Sequence, residues 1–501
     1  MFRIRLYCIL ILSVCWINLS SKSISPIDYG ILRARNGEDR YSILYRVHVL
    51  AINNNWDIDY SGLNVINLEI PAQAKSIPLP LQTDFKGVVF NVVNKEKDTY
   101  LFSLTSTSMP ISFNKKLLTT GNLRCVPRLR KGKTLLCIED QNIWTERIGY
   151  SEKFKRKDIL LVENGKTGST SVSTYSNAHS IPKCEYVPVT DQTKYIKNVT
   201  LNRAKESTKK TFLLMVLNQY NVSIENLAIN TPQSSLYADH ALSIQNCVDV
   251  SVKDVKINGT YSQAKTYGYG IYLNNVREIS FINLTATGDW GVFGTYNIVN
   301  ATLKDCDINR FDVHCYAKDI LFEDCIIRDL YNQFSSLFGT LIFRRCVFDK
   351  AIPILLESSY NAFTPFNILM EDCTMLVTKQ HNYIISAGKV GMTANARAEL
   401  SRKALPGIKI DNLSIYVPSD VDRVFLFHTR DASGGTPISS IDSVDIDGLV
   451  FKFEKENPAF RYIFCNESLV FEQLESCRIN SNLSDKNVLL NYKHLNRDGK
   501  Q

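Results

Sequence analysis

The chain has 501 residues, 45% of them hydrophobic and 22% charged, and a formal net charge of +8. That apolar share supports a folded core and excludes a chain disordered throughout. The basic excess is spread thinly, with a dense run only around Lys153 to Lys157, so a nucleic-acid-binding role is excluded.

Residues 1–22 read as an export signal, because Arg3 and Arg5 precede an apolar run from Leu6 to Leu19 that ends in Ser20, Ser21 and Ser23. The run is short for a membrane span, and no later segment supplies the roughly 20 apolar residues that a spanning helix needs. An uncleaved anchor is the alternative, and the residues before Cys15 resemble a lipoprotein box only loosely. The mature chain is expected to begin near residue 21 and to be secreted, periplasmic or cell-surface, with its charge lowered from +8 to +6. Of thirteen cysteines, Cys8 and Cys15 leave with the signal. The odd remainder of eleven argues against a fully paired disulfide framework.

Residues 23–200 form an expected cap and irregular first coils. Leu44, Val47, Val49 and Leu50 recur at helical spacing within Arg40 to Asn53, after the turn-prone Asn36 and Gly37, and predict a helix that covers the open end of the fold. Strand-like runs such as Gly87 to Val93 and Thr134 to Ile138 keep no regular period and predict a projecting insertion, with a loop from Thr167 to Pro182.

Residues 201–455 carry a repeat. Nine segments share a nine-residue shape, apolar at positions one, three, six and eight and mostly Asn or Asp at position five. They start at Val222, Val250, Ile279, Ala301, Ile320, Leu341, Ile368, Ile408 and Val444. Alternation on both sides of a fixed polar residue means two short strands meeting at a corner. A recurrence of roughly 20 to 30 residues suits one coil of a parallel β-solenoid, with coils stacked about 4.8 Å apart. Position six holds Leu227, Val255, Leu284, Cys306, Cys325, Cys346, Cys373, Leu413 and Leu449, so the four cysteines are expected as buried hydrophobes in one internal file. Position five, with Asn226, Asp254, Asn283, Asp305, Asp324, Asp372 and Asn412, is expected as a corner ladder. Lys389 to Leu405 reads as a short helix in a lateral loop, and residues 456–501 as a C-terminal cap and a loose tail.

This pattern resembles the right-handed parallel β-helix of pectin lyases, polygalacturonases and phage tailspike depolymerases. The stretch from Ile27-Asp28-Tyr29-Gly30 to Pro71 looks like the cap of that superfamily. The resemblance covers roughly residues 25–455. It implies an all-β fold, a right-handed parallel β-helix (β-solenoid) with an N-terminal capping helix, and a carbohydrate-active role. It does not transfer a reaction, because the Asn-Thr-Asp, Asp-Asp and Gly-His-Gly elements of polygalacturonases are absent.

Aligning the strands that precede three coils gives the triplets Gly270-Ile271-Tyr272, Gly291-Val292-Phe293 and Asp312-Val313-His314. In that register Tyr272, Phe293 and His314 form one outward file, and Gly270, Gly291 and Asp312 a second, making a shallow platform for a sugar ring. Arg310, Asp312, His314 and Tyr316 are the densest polar cluster; Asp289 and Trp290 precede it by one coil, Glu357 follows, and Tyr267, Tyr269 and His240 enter from loops. Two chemistries fit. β-Elimination of a uronate would use His314 or a tyrosine as base with Arg310 neutralising the carboxylate. Hydrolysis would pair Asp312 with Asp289 or Glu357. The same cluster also reads as a polar network whose members satisfy one another.

The expectation is therefore an enzyme that cleaves an extracellular polysaccharide, acidic in the favoured reading, with a non-catalytic glycan-binding or surface-structural β-helix as the alternative. No cofactor is predicted; calcium assists some relatives, but no acidic run away from the corners specifies a site. The expected partner is the polysaccharide, with no nucleic acid and no membrane span, and monomer and trimer both stay open.

Overall fold

The computed structural model describes residues 22–114, 116–146, 153–168, 182–209, 211–232, 241–260, 262–263, 266–267, 269–288, 291–329, 331–335, 337–356, 366–387, 404–428, 440–465 and 473–489. The lateral loop around Lys389, most of the loop after Thr167 and the tail after Tyr492 lie outside them.

All nine repeats stack in one parallel row. Val222 pairs with Val250, and the row continues through Ile279, Ala301, Ile320, Leu341, Ile368, Ile408 and Val444. Each residue of the row is buried, as the repeat's apolar positions require. The result is a parallel β-solenoid with one core running its length.

Position five turns the corner in every coil. Asn226, Asp254, Asn283, Asp305, Asp324, Asp372 and Asn412 all have left-handed backbone, the conformation that Asn and Asp tolerate best after glycine. Their side chains also bridge coils: Asn226 Nδ2 donates to Asn198 Oδ1 at 2.9 Å, Asn283 to Asp254 at 2.7 Å and Asn412 to Asp372 at 3.0 Å. A second left-handed corner runs through Asn218, Asn246, Asn275 and Asn297 and then, where the pattern breaks, Tyr316.

The internal cysteine file is present. Each thiol points at a carbonyl of the preceding coil, Cys306 at Phe281, Cys325 at Leu303, Cys346 at Phe322 and Cys373 at Phe343, at 3.4–3.6 Å. All four are buried and free.

The cap helix spans Gly37–Asn54 and starts where Asn36 Oδ1 accepts from the backbone N–H of Asp39 at 2.8 Å. Tyr41, Leu44, Val47, His48 and Ala51 face inward over the first strands, Val65–Glu69 and Ile77–Pro78. No described helix is long and apolar enough to cross a membrane.

The insertion is an antiparallel sheet of Met109–Ile111, Lys133–Glu146, Lys153–Glu163, Lys166–Thr167 and Lys183–Val189. Strand alternation splits its apolar residues between two faces. Leu136, Ile138, Leu160 and Val162 close a small core of their own, while Leu135, Cys137, Ile159 and Val187 pack against Val248 of the solenoid.

Candidate functional site

The outward face of one solenoid sheet carries the polar cluster. The register differs from the sequence expectation: Ile271 pairs with Phe293 and Phe293 with Phe311, so these three form an inward row. Phe293 is fully buried between Phe281 and Phe311, each ring centroid 4.9 Å away, and does not face solvent. The outward file is instead Tyr272, Gly294, Asp312 and Gln333. The expectation failed at Phe293 because that residue stands as far ahead of Ala301 as Ile271 stands ahead of Ile279, and at His314 because the strand Phe311–Glu323 holds one extra residue. Thr295 pairs with Val313 but Tyr296 with Cys315, which leaves His314 in a bulge.

The second predicted file, Gly270 with Gly291 and Asp312, is corrected by the same register, since Asp312 lies level with Gly294. The expected open platform is also occupied. The ring of Tyr269 lies over Gly294 and beside Gly291, where only glycine leaves room: a Cβ on Gly294 would stand 2.6 Å from Tyr269 Cδ2.

Tyr269 thereby places its hydroxyl 2.9 Å from both Asp312 Oδ2 and His314 Nε2. An ionised carboxylate only accepts, so Tyr269 donates to Asp312 and accepts from Nε2–H. The other ring nitrogen, Nδ1, then accepts from the Tyr296 hydroxyl at 2.7 Å. One directed chain results, running from Tyr296 through His314 and Tyr269 to Asp312. Both tyrosine rings meet the imidazole edge to face, at 5.3 and 4.9 Å between centroids.

Arg310 closes the far end. Its Nε donates to Asp312 Oδ1 at 2.5 Å, its Nη2 to Gln333 Oε1 at 2.9 Å, and its guanidinium lies 4.3 Å from the centre of the Tyr331 ring. Burial works against its charge, but Asp312, Tyr331 and Tyr269 raise its pKa above the usual arginine value. Burial, and then the charge of Asp312, pushes the Tyr269 phenol well above its ordinary value, so it keeps its proton. Burial likewise raises Tyr272, whose hydroxyl accepts from Asn274 Nδ2 at 3.3 Å and whose ring sits 5.8 Å from that of Tyr296.

The structure thus brings Arg310, Asp312, His314, Tyr269 and Tyr272 together. Tyr316 is not part of that group: it turns the second corner in left-handed backbone, 1% exposed, with its ring 5.2 Å from Phe338. His240, Asp289, Trp290, Glu357 and the side chain of Tyr267 lie outside the described residues. Sequence reasoning missed Tyr296, Gln333 and Tyr331. Tyr296 precedes the corner Asn297 directly, as Asn274 precedes Asn275, and counting back from the Asn corners would have found it. Among the described residues no group of three or more His, Cys, Asp or Glu converges as a metal site.

Twelve solved chains are similar to this one. The tailspike of an Acinetobacter baumannii bacteriophage, solved with a capsular saccharide of that bacterium, superposes at a TM-score of 0.51 with 10% identity, covering 93% of this chain and 76% of its own. This chain is a right-handed parallel β-helix. The tailspike of a Pseudomonas phage (TM-score 0.45, 10% identity, 92% of this chain and 82% of its own) matches less closely. So does the catalytic domain of an α-1,3-glucanase solved with tetrasaccharides (0.28, 9%, 74% and 89%). No family model matches the β-helix, and no curated protein does.

Proposed function

We propose that the chain is an exported enzyme that cleaves an acidic extracellular polysaccharide by β-elimination on the face bearing Tyr269, Tyr272, Tyr296 and His314. The observation that carries this reading is the directed chain Tyr296–His314–Tyr269–Asp312, a proton acceptor oriented by a third and fourth group. Tyr296 is the half-buried outer member. As its oxygen takes the proton beside the uronate carboxyl group, its own proton passes to His314 Nδ1. The imidazolium then faces Asp312, whose Oδ2 lies 3.6 Å from Nε2. The electron pair left on carbon becomes the new double bond, and the bond to the leaving sugar oxygen breaks as that oxygen takes the proton from the Tyr296 hydroxyl, to which His314 Nδ1 returns its own.

Hydrolysis has less support. It requires two reachable carboxyl groups, and Asp312 has no exposed surface and is committed to Arg310. That pairing also withdraws Arg310 from the substrate-neutralising role and makes it the anchor of the chain. Asp289 and Glu357 remain the carboxylates on which a hydrolase reading would rest. The leader with Arg3 and Arg5 supports export, and the net charge of +6 left once those two of the +8 are removed suits an anionic substrate. The burial of Asp312 and Arg310 favours one second reading, a glycan-binding surface whose polar network is structural.

The test is incubation of the mature protein with a panel of uronate-containing and neutral polysaccharides, following unsaturated-uronate absorbance and reducing ends together. Both signals are expected to rise, and to vanish in His314→Ala and Tyr296→Phe. Reducing ends without absorbance would move the chemistry to Asp289 and Glu357. Neither signal, with retained glycan binding, would establish the second reading.

A further inference from the structure

A histidine in a bulge has lost part of the ladder that aims its neighbours, so its ring is oriented by what its side chain touches. In His314 those contacts include Tyr269 and Tyr296. Tyr296 is itself held from outside the solenoid. The ring of Phe154, on the insertion strand Lys153–Glu163, stacks on it with centroids 5.6 Å apart and planes 23° from parallel.

Two further contacts lock that strand against the same coils. The backbone N–H of Lys157 donates to Asn297 Oδ1, the corner residue directly after Tyr296, at 3.1 Å. Asp158 forms a buried ion pair with Arg277 one coil earlier, at 2.9 Å, and Arg277 Nε donates to the carbonyl of Ile159 at 2.9 Å. A buried pair of this kind adds little net stability but penalises any other register strongly, because a shifted strand would leave a charge unpaired. The insertion strand is therefore fixed in register, and Phe154 with it.

We infer that Phe154 is a positioning residue: the antiparallel insertion, through its ring stacked on Tyr296, sets the orientation and tautomer of the His314 imidazole. As a statement about turnover this rests on the elimination reading above; as a statement about the imidazole it does not. Phe154 touches no reacting atom in that reading. Its effect passes through the direction of the Tyr296 hydroxyl, where a displacement of about 1 Å at a proton-transfer group is enough to cost a large factor in rate.

The experiment uses the full mature chain labelled with 15N in histidine, and reads the tautomer of His314 from its two ring nitrogens, assigned with His314→Gln. Wild type is expected to hold His314 in the Nε2–H form. Phe154→Ala should populate both tautomers and lower kcat by about tenfold, with KM changed less than about twofold. Phe154→Tyr should restore both. Phe154→Leu retains the apolar volume that docks the strand and removes the stacked ring, so it carries the test if the alanine variant fails to fold, and it should mix the tautomers as well. A folded Phe154→Leu protein with the wild-type imidazole signals and wild-type kcat would overturn the inference. A wild type that cleaves nothing, while Phe154→Leu mixes the tautomers, would refute the elimination reading and leave the positioning role standing.

Discussion

The ring of Tyr269 rests on the α-carbon of Gly294, and no other residue type at position 294 leaves that ring in place. A Cβ there would stand 2.6 Å from Cδ2 and 2.8 Å from Cγ of Tyr269, inside any real carbon–carbon contact. Gly294→Ala should lift the ring and separate its hydroxyl from Asp312 and His314. The expected outcome is a loss of about 100-fold in polysaccharide cleavage, on the scale of a misplaced catalytic group. Stability should fall by about 1–3 kcal/mol from overpacking. Initial rates and thermal melting of the same preparation separate the two effects.

Acid should loosen the N-terminal cap. His48 is fully buried, with Nδ1 2.8 Å from the carbonyl of Pro78 and Nε2 against the Tyr60 hydroxyl. Burial lowers its pKa from 6.5 to about 4. Its folded-state pKa lies below the unfolded value, so the unfolded chain binds the proton first. The stability His48 contributes is complete above pH 6.5 and is lost as pH falls toward 4. The full span is worth about 3 kcal/mol at roughly 1.4 kcal/mol per unit. Urea midpoints should fall between pH 7 and pH 5, and His48→Gln should flatten that dependence while lowering stability at pH 7.

Tyr316 occupies the corner that Asn218, Asn246, Asn275 and Asn297 fill in earlier coils, with a φ of 53°. Left-handed backbone costs a bulky residue about 1–3 kcal/mol. Truncating a buried aromatic costs about 3–5 kcal/mol. The packing on Phe338 is the larger effect, so Tyr316→Asn should destabilise the protein by about 2 kcal/mol despite relieving the backbone, a net of the two figures. A higher urea midpoint for the variant would reverse that order.

The cysteines should divide by exposure. Cys125 is exposed, whereas Cys247 and Cys137 are buried and burial pushes both thiols up to about 12. Cys306, Cys325, Cys346 and Cys373 are buried as well, so a reagent cannot reach their sulfurs, and an alkylating reagent at pH 7.5 should label Cys125 within minutes and leave those four intact until denaturant is added. Peptide mass spectrometry after a timed quench reads the order directly.

Much of the solenoid was legible without coordinates. The alternation about a corner residue, repeated nine times with Asn or Asp there in seven, encodes two strands and a corner locally, and a residue such as Asp254 or Asn283 needs only its own left-handed backbone to turn there. The cysteine file followed, since position six alternates inward whatever coil it belongs to. Arg310, Asp312 and His314 were found because they are neighbours in sequence. Their contacts were not, because a bulge inserts one residue without a local signal and reverses every face count that passes through it. Phe293 lies outside the reach of that bulge: it stands as far ahead of Ala301 as Ile271 stands ahead of Ile279, so an equal count back from the repeat would have placed it in the core.

What the sequence determined by itself is the parallel repeat, the cap helix and the set of polar residues on one stretch of chain, all properties of short-range periodicity. What only the tertiary structure decided is which of those residues touch. Tyr269 reaches Asp312 from 43 positions away, and Phe154 of the insertion lies over Tyr296. Such pairings depend on coil lengths and on the docking of a separate sheet, and no local pattern encodes either, because the free energy that selects them comes from packing between segments and not within one.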